Sequence, residues 1–365
     1  MDIDIGIGKR ARRSYELDDL TIVPSRRTRN RDEVDLSWQM DAFKFVLPML
    51  AAPADSVTSP EMIIRLGEAG GLGVLDLEGL WTRHGEADTL LDKVLTSDEP
   101  AEGLRRLYEA SVDPGLVEDR VRQLKKAGGV VAGALTPANV SRFSSHAIGA
   151  GLDILVIHGA VVSAEHVSDG DDVLDLREFI AGCEVPVIVG GCSAYSTALH
   201  LMRTGAVAVL VGVGTGRSSR TSEVLGVGVP LATAVADAAG ARIRYLDETG
   251  RYVHIIAQGD IVTGGHIATA VACGADAVML GAPFARALEA PGGGRHWDTD
   301  AFHAELPRSL LIDVDDRVPF DELLFGPSLT ASDGRNLVGA LRTVMGFTGH
   351  SNLKGFQKAE VMVRR

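Results

Sequence analysis

One phrase recurs along this chain and limits what it can fold into: a helical stretch, a glycine, then a short aliphatic run. It appears as EAGGLGVLD (68–76), KAGGVVAGAL (126–135), GAGLDILVIHG (149–159), RTGAVAVLVGVG (203–214) and ACGADAVMLGA (272–282). The glycine closes the helix in the left-handed conformation that a Cβ makes costly. The apolar run behind it is unbroken rather than alternating, as in a strand buried on both faces. Three further runs, VLPMLAAPA (46–54), VPVIVGG (185–191) and YVHIIAQG (252–259), bring the expected strands to eight, starting near 47, 71, 130, 153, 186, 206, 252 and 276. Amphipathic helical segments lie between them, among them 60–69, 137–150, 193–205 and 263–274. Eight strand–helix units predict an α/β fold, a single (β/α)8 TIM barrel over residues 1–365 with long loops at its C-terminal face. A doubly wound open sheet is the competing reading. It usually has fewer strands, and no GxGxxG opens the first strand–helix turn here.

Three stretches exceed the repeat. Residues 77–128 are mostly helical; 213–250 open on a glycine-rich loop; 283–340 are polar and carry PGGGRHWD. Long insertions at the C-terminal ends of barrel strands build active-site loops and flaps, which is the role expected for the last two. Acidic residues outnumber basic ones by 49 to 36, a net charge of −13, so nucleic acid and anionic membrane surfaces are not expected partners. The three cysteines, Cys183, Cys192 and Cys273, form no CxxC pair. Neither a disulfide framework nor a metal centre built on cysteine is expected, and the spacing fits a reducing cytoplasm. No apolar stretch has bilayer length, and MDIDIGIGKRARRSYE lacks the apolar core of a signal peptide.

The chemistry is expected at the strand ends, where loops after strands seven and eight of such barrels often hold phosphate. Here they read Gln258-Gly259-Asp260 and Gly281-Ala282, with a helix starting just beyond each, an arrangement that favours an anion. The loop after strand six is richer: Gly212, Gly214 and Gly216 alternate with small residues, and Arg217, Ser218, Ser219, Arg220 and Thr221 follow. A flexible solvent loop is the plain alternative. So much glycine costs backbone entropy, which favours a nucleotide or phosphate loop.

At these residues the chain resembles the IMP dehydrogenase and GMP reductase family. GVGTGRSSRTSEVLGVGVP (212–230) is similar to the family's catalytic loop GIGPGSICTTR with its following GVGVP. YELDDLTIVPSRR (15–27), LPMLAAPADSVTS (47–59), GGLGVL (70–75), AQGDI with ACGADAVMLG (257–281) and the segment 337–363 match other family stretches in the same order. Residues 77–128 are too few for the paired CBS modules that the family carries there. The resemblance is to the short, CBS-free, IMP dehydrogenase-related paralogues of actinobacteria. It implies oxidation of IMP to XMP with NAD, or in the reverse sense a GMP reductase, in a cytoplasmic homotetramer that binds a purine nucleotide or another small anion. It also implies a monovalent cation on the 212–219 loop.

The same resemblance marks departures. The family's nucleophilic cysteine falls on Ser219, and its following threonine on Thr221. By the same carry-over, Gly212, Gly214 and His158 would meet the cofactor, His158 standing where the family has aspartate. Gly216, Arg217, Ser218, Gln258, Gly259, Asp260, Gly281 and Ala282 would hold the nucleotide. Asp260 puts a carboxylate beside the expected phosphate, and Gly281-Ala282 replaces Gly-Ser. The flap Arg-Tyr pair has no counterpart beyond Arg295-His296-Trp297. A hydroxyl is a poor nucleophile without a base, so a silent ligand-binding or regulatory barrel is the alternative. Asp55 matches a family residue; a cap for the helix starting at Pro60 accounts for it equally well.

Overall fold

The computed structural model describes residues 2–167, 174–303, 305–314, 316–331 and 333–364. Eight parallel strands close into a barrel in sequence order: β1 (Met49–Ala51), β2 (Leu72–Asp76), β3 (Ala132–Leu135), β4 (Ile154–His158), β5 (Val187–Cys192), β6 (Ala208–Val211), β7 (His254–Gln258) and β8 (Ala277–Leu280). β8 returns to β1 through the pairs Val278–Met49 and Leu280–Ala51. The open-sheet alternative is excluded by that closure. The aliphatic runs became strands because their residues face either the barrel interior or the helix layer: all of β2, β3, β5, β6 and β8 is buried. The first strand is shorter than its apolar run. It ends at Ala51, and 52–58 form the loop that enters the mouth.

The outer layer follows the expected segments to within a few residues: Pro60–Glu68, Val140–Gly149, Tyr195–Arg203 and Gly264–Ala272. Ser59, not Asp55, caps the first of these, accepting the Met62 N–H at 3.1 Å. The capping reading of Asp55 is therefore wrong; its carboxylate is used elsewhere. Residues 77–128 form three helices, Ala87–Leu95, Pro100–Leu107 and Pro114–Lys126. The strand Val361–Val363 pairs antiparallel with Leu20–Ile22, tying both ends of the chain together. Among the described residues no helix is long and apolar enough to cross a membrane.

Candidate functional site at the barrel mouth

The C-terminal ends of the strands open into one cavity. Its lining includes His158, Gly212, Gly214, Gly216, Arg217, Ser218, Ser219, Thr221, Gln258, Gly259, Gly281 and Ala282. Twelve of the thirteen residues singled out from the sequence thus meet at one place. Asp260 is the exception. It is exposed and absent from the lining. One-sided desolvation moves its carboxyl up, and the nearby charges of His266 and Arg217 pull it back.

Two glycines are required by backbone geometry. Gly212 has φ +141° and Gly259 φ +137°, in the region that side chains avoid. A Cβ on Gly212 would run into the Gln258 carbonyl, and one on Gly259 into the Thr215 hydroxyl. This close approach seats the β6 loop on the β7 loop. Gly212→Ala is expected to cost about 1–3 kcal/mol, from backbone strain plus displacement of Gln258. The check is a lowered urea midpoint with an unchanged slope.

The loop after β6 is zipped to the segment that follows β8. The Leu310 N–H donates to the Ser218 carbonyl at 2.9 Å, and the Arg220 N–H to the Arg308 carbonyl at 2.5 Å. Ser219 Oγ accepts from the Thr221 N–H at 3.3 Å and lies 3.3 Å from Thr221 Oγ1. No base reaches it by a hydrogen bond among the described residues. Ser218 is placed differently: its hydroxyl donates to Asp298 Oδ2 and lies 3.4 Å from His296 Nε2. Arg217 is exposed at the mouth, with no ion-pair partner within bonding distance among the described residues. None of the three cysteines lines the cavity. Cys192, at the end of β5, is buried, and burial pushes its thiol up to about 12. His158 ends β4, where burial pulls its imidazole below the usual range against the opposing charges of Asp298 and Asp300.

Behind the lining runs a buried polar chain that the sequence did not reveal. Trp297 Nε1 donates to Tyr108 Oη at 2.9 Å, and Tyr108 Oη donates to Asp55 Oδ2 at 2.7 Å. Asp55 Oδ2 also accepts the Leu80 N–H at 2.8 Å. Burial pushes the Asp55 carboxyl up to about 6, against the pull of Tyr108, Leu80 and Arg83. Burial, reinforced by Asp55, raises the neighbouring Asp76 further. Asp76 ends β2 and lines the cavity, so the wall beneath the flap carries a carboxyl that burial holds well above the usual carboxylate range. These bonds fasten the flap to the loop after β1 and to the end of the helix Pro100–Leu107.

A family model described as the IMP dehydrogenase / GMP reductase domain matches residues 14–303. The chain belongs to the IMP dehydrogenase/GMP reductase family. An IMP dehydrogenase/GMP reductase-like protein of Corynebacterium glutamicum has the same fold, with a TM-score of 0.94 and 44% identity over 100% of this chain and 98% of that one. An uncharacterised oxidoreductase of Mycobacterium leprae is 46% identical, covering 99% of both chains. An inosine-5'-monophosphate dehydrogenase of Methanocaldococcus jannaschii is 26% identical over 95% of this chain and 92% of its own length. The full-length likeness to mycobacterial oxidoreductases places the chain among the actinobacterial paralogues of the family.

Proposed function

We propose that this protein binds a purine nucleoside monophosphate at the barrel mouth, within the oxidoreductase family to which it belongs, and does not oxidise IMP through a thiol adduct. One observation carries the reading. Three glycine-bearing loops, distant in sequence, and the exposed Arg217 converge on one cavity, and no cysteine lines it. Backbone N–H groups of such loops, with a guanidinium, suit a phosphate. Ser219 stands at the family's nucleophile position, and among the described residues its hydroxyl makes hydrogen bonds with Thr221 alone. Its hydroxyl has no means of losing a proton near neutrality.

The residues present are compatible with NAD: His158, held neutral by burial, can exchange a hydrogen bond with a ribose hydroxyl, and Gly212 and Gly214 leave room beside it. Bound NAD supplies a hydride acceptor. A monovalent cation on the 212–219 loop would take backbone carbonyls, since the described residues hold no His, Cys, Asp and Glu cluster fit for a metal. A homotetramer and a cytoplasmic location belong to the same proposal.

The test is thermal unfolding with IMP or GMP added. A ligand of the native state raises the midpoint with concentration. A rise with either nucleotide is the expected result, and no shift with any purine nucleotide would refute the reading in favour of a barrel that serves another ligand. Asp260 supplies a second check. Its carboxylate lies near Arg217 but outside the cavity, so Asp260→Gly releases the guanidinium for the phosphate. At low salt the variant is expected to bind IMP about fivefold tighter, a gain on the order of 1 kcal/mol for an exposed charge. Calorimetry at two salt concentrations measures it, and the gain should fade in high salt.

A further inference from the structure

We propose that the N-terminal hairpin is an assembly arm, whose isoleucines and basic residues dock on the exposed second half of the helix Leu231–Thr249 of another copy of this chain. The inference rests on the homotetramer reading above and names the segment that holds the copies together.

The strands Asp2–Gly6 and Lys9–Arg12 pair with each other and form a separate two-stranded sheet. Ile3 lies opposite Ala11, and Asp4 lies opposite Arg10, whose Nε donates to the Asp4 carboxylate at 3.0 Å. Every residue from 3 to 10 is exposed, Ile5 at 63% and Ile7, in the turn, completely. A two-stranded hairpin is marginal in water by itself, and three bare isoleucines are an apolar surface in need of cover. Its own chain does not supply that cover. The base of the arm is fixed on the first half of the helix Leu231–Thr249: the Tyr15 N–H donates to Thr233 Oγ1 at 2.7 Å, and Arg12 pairs with Asp237. Beyond that anchor the arm runs clear of the body.

Charge points to the occupant. Residues 2–13 carry two acidic and four basic side chains, net +2, in a chain of net −13, so the remainder carries −15. A positive, apolar arm on a negative body is complementary to a second copy of that body. The helix Leu231–Thr249 offers the matching patch. Ile243 is 60% exposed and Leu246 37%, and exposed Asp247 lies on the same face, one turn beyond Ile243. Glu248 is taken by Arg203 and Arg244, and Asp237 by Arg12, so Asp247 is the carboxylate of this helix placed to meet Lys9 or Arg13 of the arriving arm. Ile243 and Leu246 lie about 9 and 14 Å along the helix from Asp237, away from the arm's own anchor. Arm and patch are different surfaces, so each copy gives one and receives one. Such a head-to-tail contact is satisfied in every copy when the copies close into a ring, as four can.

The test is the mass of the full chain in solution, measured by size-exclusion chromatography with light scattering. A tetramer is expected. Ile3→Asp, Ile5→Asp and Ile7→Asp combined change exposed positions alone, and the combination is expected to reduce the tetramer to single chains. Ile243→Glu is expected to do the same from the other side of the contact. Mixing the two variants should give pairs and nothing larger, since one keeps its patch and the other its arm. A mixture that stays as single chains overturns the pairing of arm with helix. An arm variant that keeps the tetramer's mass overturns the proposal and leaves the homotetramer standing. A dimer that the arm variant splits upholds the arm and overturns the homotetramer. Single chains from the unaltered protein overturn both; if those chains sediment with vesicles of phosphatidylcholine and phosphatidylserine, the arm serves a lipid surface instead.

Discussion

Replacing Asp276 with alanine is expected to cost the fold about 3–5 kcal/mol, the largest loss of stability from any single change considered. Asp276 immediately precedes β8 with a side chain 3% exposed. Its carboxylate accepts from Arg242 at 2.8 Å, Tyr252 Oη at 2.8 Å, the Ile255 N–H at 2.9 Å, Lys354 at 2.7 Å and Gln357 at 3.0 Å. These groups come from the helix Leu231–Thr249, from β7 and its approach, and from the C-terminal segment. Removing the carboxylate leaves the guanidinium of Arg242 buried without its partner, and that orphaned charge is the main cost. The site lies at the end of the barrel opposite the cavity, so nucleotide affinity should hold wherever the variant remains folded. Urea unfolding at neutral pH measures the loss.

The same carboxylate sets an acid limit. Burial opposes its ionisation, but Arg242 and Lys354 outweigh burial and hold it below the usual range. A carboxyl depressed in the folded state contributes stability above its unfolded value, about 3.9, and that contribution is lost as pH falls toward the folded value. The unaltered protein should therefore lose stability steeply below about pH 4. Asp276→Asn should flatten that slope while lowering stability at neutral pH. An unchanged slope would assign acid sensitivity to other carboxylates.

The second large effect concerns catalysis. The unaltered chain is expected to form NADH from IMP and NAD at background rate. Ser219→Cys, alone or with Asp260→Gly, should raise that rate by on the order of 10³-fold or more, since loss of a nucleophile from a covalent mechanism costs at least that much. The thiol would stand beside Thr221, where Ser219 Oγ now lies. Its activity should be abolished by iodoacetamide, which leaves Ser219 itself unlabelled. Robust IMP oxidation by the unaltered protein, insensitive to thiol reagents, would mean that an oxygen nucleophile or water attacks directly.

The barrel was readable because its strands are short aliphatic runs, most of them entered through a helix-closing glycine, and burial on both faces erases alternation. The cavity loops were readable for a related reason. Gly212 to Thr221 are contiguous, and only a close approach of backbone to backbone requires such a run of glycine. Asp260 misled because it adjoins Gly259 in sequence, while its side chain lies outside the cavity, near Arg217 and His266. The flap was opaque. Asp298 reaches Ser218 across 80 residues, and Trp297 reaches Tyr108 across 189. Tyr108 follows a helix whose pattern fits an ordinary solvent-facing segment. Asp55 could be read two ways, and only the Tyr108 and Leu80 hydrogen bonds choose between them.

Nucleotide binding at the mouth is the claim on which the rest depends, and a crystal of the full chain soaked with GMP tests it most directly. The account predicts the phosphate within hydrogen-bond distance of backbone N–H groups in 214–219, 259–261 or 281–282, with Arg217 turned onto it. GMP absent from the cavity, or lying there with its phosphate away from all three loops, would contradict it.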